Sequence, residues 1–123
     1  MLLVDAANVV GSRPTGWWKD RAGAAERFVE QVRASTNAER LTGPVIVVLE
    51  GQARRGVGEG VADGVEVVHA AGEGDDTLAD IAAANPGPLT LVTADRQLAE
   101  RVRRSGVEVV SPTWLLDRLD ASR

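Results

Sequence analysis

The sequence predicts an α/β domain of three layers, a central parallel sheet of about five strands flanked by helices. Three observations lead there. Short apolar runs rich in β-branched residues, the clearest being Val45-Ile46-Val47-Val48-Leu49, suit strands covered on both faces. Segments of helical periodicity alternate with those runs, which implies crossovers between parallel strands. Acids close several of the runs, and in a parallel sheet every such end falls on one rim, where open α/β sheets bind ligands.

Leu2 to Asp5 reads as a buried strand tipped by a carboxylate. Ala6 to Gly16, with Gly11, Pro14 and Gly16, reads as a loop. From Trp17 to about Ser35 the apolar residues Ala24, Ala25, Phe28, Val29 and Val32 recur at helical spacing, with charges opposite. Val45 to Leu49 is the second strand, followed by Glu50. Gly51 to Gly64 holds five glycines with Arg54 and Arg55, and predicts a mobile loop with room for a short helix. Val65 to His69 is a third strand, and a helix follows from about Asp75 to Ala84, stopped by Asn85-Pro86-Gly87-Pro88. Leu89 to Thr93 is a fourth strand, and Arg96 to Ser105 a helix closed by Gly106. Val107 to Val110 is a short fifth strand, and Pro112 opens a last helix through about Leu119.

At 123 residues the chain fits one domain, residues 1–123. Aromatics are few, three Trp and one Phe, so the core must be mostly aliphatic. The absence of cysteine excludes disulfides and thiolate metal sites and suits a reducing compartment. No apolar run approaches a membrane span, and Asp5 interrupts the first one too early for a signal peptide. A soluble, cytoplasmic protein with no membrane partner is expected. The formal charge of −4 argues against a general nucleic-acid coat but not against a nucleic-acid enzyme.

The acids are the chemistry-bearing residues. Asp5, the pair Asp75-Asp76, and Asp95 lie at strand ends or the turns that follow, and Asp80 is one helical turn beyond Asp76. Carboxylates brought together raise one another's pKa unless a cation neutralises them. Oxygen-only ligands favour Mg²⁺ or Mn²⁺, ions that activate water and stabilise charge on a phosphodiester. Each acid also has an ordinary reading as a turn or helix-cap residue. Glu50 is a further acid on the rim, and Thr77 and Thr93 are candidate hydroxyls. Arg13, Lys19, Arg21, Arg54, Arg55 and Arg96 sit in or beside rim loops, where they are placed to bind phosphate or simply to be solvated. Trp17-Trp18 offers a stacking surface for a base, although one of the two suits core packing better. His69, the only histidine, reads as structural.

Three motifs in order, Leu-Leu-Val-Asp5-Ala-Ala-Asn8-Val-Val-Gly11, Gly74-Asp75-Asp76-Thr77-Leu78-Ala79-Asp80 and Leu-Val-Thr93-Ala94-Asp95-Arg96, resemble the NYN domains of the PIN-like ribonuclease superfamily. The resemblance spans nearly the whole chain and is greatest to the bacterial YacP-like branch. It implies a PIN-like fold and metal-dependent cleavage of RNA. It also implies that Asp5 matches the first metal-binding aspartate, with Asn8 beside it, and that Asp95 matches the last. Asp75 matches the middle acid, with Asp76 as the other register. The segment from Gly106 to Asp117 also resembles the final strand and helix of a BRCT domain, a local match that leaves the acids unexplained.

Overall fold

The computed structural model describes residues 1–120. It begins with strand β1 (Leu2–Asp5), helix α1 (Ala6–Gly11), a 3-10 turn (Trp17–Lys19) and helix α2 (Arg21–Asn37). Strand β2 (Val45–Leu49), a second 3-10 segment (Gly51–Arg55) and strands β3 (Gly60–Ala62) and β4 (Val65–His69) follow. Helix α3 (Gly74–Ala84), strand β5 (Leu89–Val92), helix α4 (Arg96–Val102), strand β6 (Val107–Val110) and helix α5 (Pro112–Asp120) complete it. The strands form one sheet in the order β3-β4-β2-β1-β5-β6, parallel throughout except that β3 runs antiparallel to β4. Among the described residues no helix is long and apolar enough to cross a membrane.

Alternation along the strands builds two cores, one on each side of the sheet. Leu2, Val4, Val45, Val47 and Leu49 pack with Phe28, Val29 and Val32 of α2 and Leu115 and Leu119 of α5. Leu3, Ile46, Val48, Leu89 and Leu91 pack with Leu78 and Ala82 of α3 and Leu98 and Val102 of α4. The same alternation puts Asp5 on the α3/α4 side with Leu3, and Thr93, one residue past β5, on that side with Leu91. Sheet pleat thus aims both at the layer that carries Asp75 and Asp95.

Four expectations are corrected. Ala6 to Gly16 is not a loop throughout, because Asp5 caps a helix there and its side chain accepts from the Asn8 N–H. The long helix starts at Arg21 instead of Trp17. Asp20 is its N-cap, accepting from the Gly23 N–H at 2.9 Å, so Trp17 sits on a separate 3-10 turn. The glycine-rich stretch is largely ordered into the Gly51–Arg55 segment and a β3–β4 hairpin. That hairpin turns at Asp63 (φ 54°) and Gly64 (φ 76°), and its two-residue Asp-Gly loop needs positive φ at both positions. The helix after Asp95 ends at Val102, short of Ser105.

Candidate functional site

After β1 the chain passes to β2, and after β5 to β6, on opposite sides in the sheet. The connections diverge and leave a crevice at the carboxyl ends of β1 and β5, the place where open α/β sheets take ligands. A continuous hydrogen-bond network fills its floor. Asp5 Oδ1 accepts from the Asn8 N–H at 3.3 Å, and Asp5 Oδ2 accepts from Asn8 Nδ2 and Thr93 Oγ1, both at 2.8 Å. Asn8 Oδ1 accepts in turn from the Ala94 N–H at 3.2 Å, and Thr93 Oγ1 from the Asp95 N–H at 3.1 Å. Asp95 Oδ1 then caps α4, accepting from Gln97 and Leu98 N–H groups. Asp5 and Thr93 are each only 4% exposed, so these bonds replace water rather than compete with it.

The electrostatics show which acids share this space. Burial pushes the Asp5 carboxyl above its usual range, opposed by the bonds from Thr93 and Asn8, with the Glu50 charge adding to the rise. Asp75 is pushed up to about 6, first by desolvation, then by the Asp95 charge and a hydrogen bond shared with Asp95, then by Asp5 and Glu50. Glu50, just past β2, accepts from the Gly74 N–H at the start of α3 and so ties that helix to the rim. Asp5, Glu50, Asp75 and Asp95 therefore gather from four separate segments.

Asp76 does not join them: it is exposed, and its Oδ1 is 2.7 Å from Arg101 Nη1. Helical geometry explains the difference. Leu78 and Ala82 mark the buried face of α3, and Asp75, three residues before Leu78, lies on it. Asp76 is turned by a further ~100°. Asp80 is exposed and lines a cleft with Met1 and Pro44 at the opposite end of the strands. Of the expected phosphate ligands, Lys19, Arg55 and Arg96 are exposed. Arg13 instead pairs with Asp120 at 3.1 Å, and Arg54 donates to the Gly51 and Ala70 carbonyls. His69 Nε2 lies 2.7 Å from the Val57 carbonyl and its N–H is bound by Glu59, a structural role.

In chemical type, though not in present geometry, the donors suit a hard divalent cation. All the gathered side chains are carboxylates, the ligand type such ions take, and Asp75 is raised first by desolvation and then by the charges of Asp95, Asp5 and Glu50. Among the described residues no three acid or imidazole side chains already stand as a ligand set. Both oxygens of Asp5, and one oxygen each of Asp95 and Glu50, accept from protein donors.

No family model matches the sequence, and no curated protein does. The solved structure of Rae1 (YacP) from Bacillus subtilis is similar, with a TM-score of 0.72 at 23% identity over 98% of this chain and 74% of that one. A point variant of that protein gives a TM-score of 0.68 at 21% identity with the same coverage. At the level of the fold, the likeness agrees with the resemblance to the YacP-like branch of the PIN-like superfamily carried by the three sequence motifs.

Proposed function

We propose that the chain is a divalent-cation-dependent endoribonuclease that hydrolyses RNA phosphodiester bonds at the crevice between β1 and β5. The observation that carries this is the gathering of Asp5, Asp75, Asp95 and Glu50 at the switch point, with Asp75 raised to about 6. Asp5, Asp75 and Asp95, with Glu50 beside them, would hold Mg²⁺ or Mn²⁺, which supplies water activation and relief of the charge that builds on the phosphorus. Asn8 and Thr93 are positioning residues, fixing the Asp5 carboxylate through two bonds to Oδ2. Lys19, Arg55 and Arg96 are exposed cations available to neighbouring phosphates. The test is incubation with single-stranded and structured RNAs in Mn²⁺. Wild type is expected to cleave, and Asp5→Asn to lose at least a hundredfold, on the order of the loss from removing one preorganised charge contact. Cleavage undiminished in Asp5→Asn sinks the assignment.

The second reading is an RNA-binding or protein-interaction module without catalysis. It is favoured by the protein donors bonded to both oxygens of Asp5 and to one oxygen each of Asp95 and Glu50. Calorimetric titration separates the two: absence of Mg²⁺ and Mn²⁺ binding at millimolar concentration favours the module.

A further inference from the structure

The acid crevice has a neighbour on the other side of Glu50. A pocket of about 280 Å³ lies between α1, the Trp17–Lys19 turn, the start of α2 and the Gly51–Arg55 segment. Val10, Ala25 and Leu49 contribute apolar lining, Trp17 and Arg21 line it as well, and Glu50 belongs to both the pocket and the acid cluster. Its volume sits at the lower edge of the range for ligand pockets, roughly 300 Å³ and up, which suits one flat ring.

This pocket is built, not a packing gap. The chain departs from a simple helix here: Asp20 caps α2 and leaves Trp17 on its own turn, half-buried, with Trp18 set perpendicular to it at 6.0 Å. The Arg21 guanidinium lies 5.1 Å from the Trp17 ring centroid. The Gly51–Arg55 segment is seated hard against α2, since a Cβ at Gly56 would come within 2.0 Å of the Ala22 carbonyl oxygen. An indole and a guanidinium plane beside an aliphatic floor are the two surfaces on which unpaired RNA bases stack.

We infer that this pocket binds one unpaired nucleobase of an RNA strand, stacked against the Trp17–Arg21 pair, while the adjoining phosphate runs toward the carboxylates. The inference rests on the RNA-directed reading above and adds a stacking subsite to it. It makes Trp17 a substrate-binding residue and explains how an acidic chain holds RNA without a broad basic face.

The test is fluorescence anisotropy with end-labelled single-stranded RNA and a matched series carrying one abasic nucleotide at each position, in Ca²⁺ or without divalent cation. Wild type is expected to lose roughly 5- to 150-fold in affinity at one abasic position, the span of base–aromatic stacking. Trp17→Ala should weaken the intact RNA by the same factor and leave the abasic RNA unchanged, and Trp17→Phe should restore most of the difference. Ala7→Leu, at an exposed helical position on the pocket lining, should mimic Trp17→Ala without removing any buried side chain. The proposal is overturned if wild type binds no RNA, if no abasic position matters, or if Trp17→Ala weakens intact and abasic RNAs alike. Abasic-sensitive binding without Mn²⁺-dependent cleavage defeats the nuclease and leaves the pocket standing. Cleavage with abasic-insensitive binding does the reverse.

Discussion

Asp5 ends the central strand, caps α1 and anchors the network that joins β1 to β5. Its position at the tip of an apolar run made it legible in the sequence, as did the matching places of Asn8 and Asp95. Choosing between Asp75 and Asp76 required knowing which face of α3 packs, and the Leu78–Ala82 spacing already held that signal. In the sequence Thr93 is one of two candidate hydroxyls, and only the alternation carried past β5 aims it at Asp5. Two substitutions follow from the network. Asp5→Ala removes a cap and strands the Thr93 and Asn8 donors, and should destabilise by about 2–4 kcal/mol. Thr93→Val keeps the shape but leaves Asp5 Oδ2 and the Asp95 N–H each one partner short, and should cost about 1–3 kcal/mol. Urea unfolding of both variants checks this; a Thr93→Val midpoint equal to wild type would mean the hydroxyl supports nothing.

At the scale of elements, the long apolar strands and the capped helices were readable because pattern and packing agree. The short ones were not. Helix α1 is six residues long and offers too few turns for periodicity, so Gly11 and Pro14 outweighed it. In the Gly51–Gly64 stretch glycine density suggests looseness, whereas two of its glycines meet specific conformational demands. Gly64 completes an Asp-Gly hairpin turn, a signal present in the sequence. Gly56 admits the Ala22 carbonyl, a contact between segments far apart in sequence that no local pattern reveals. Gly56→Ala therefore forces the Gly51–Arg55 segment off α2 and should cost about 1–3 kcal/mol, the usual penalty for overpacking. Chemical denaturation gives the number, and hydrogen exchange should show faster opening confined to Gly51–Arg55 and the first turn of α2. Unchanged exchange there would mean that the two segments are not braced against each other.

At the scale of the whole molecule, the gathered acids make the fold's stability depend on pH in a direction set by their shifts. Asp75 has a folded pKa of about 6 against 3.8 in an unfolded chain, so the folded state binds its proton more tightly. Between those values the unfolded chain has released a proton that the folded one keeps, and stability falls as pH rises. Asp5, also raised, acts in the same direction. The cost is complete above pH ~6 and absent below ~4. Asp75 is partly exposed and solvent screens its neighbours, so the penalty at neutral pH is about 1 kcal/mol rather than the full value of the shift. Without divalent cations, Asp75→Asn should therefore be more stable than wild type by about 1 kcal/mol at pH 7, and the two should converge toward pH 4. Adding Mn²⁺ at pH 7 should stabilise wild type, as any ligand of the folded state does, and stabilise Asp75→Asn less. Urea melts of both proteins between about pH 4.5 and 7.5, with EDTA and with Mn²⁺, measure each term separately. Parallel pH profiles in EDTA would show that Asp75 carries no buried charge cost. A wild-type advantage at pH 7 in EDTA would reverse the sign and place a protein cation, not an acid cluster, beside Asp75. A cluster that weakens the fold at the pH where it would be ionised is the pattern expected of a site kept for chemistry rather than for stability.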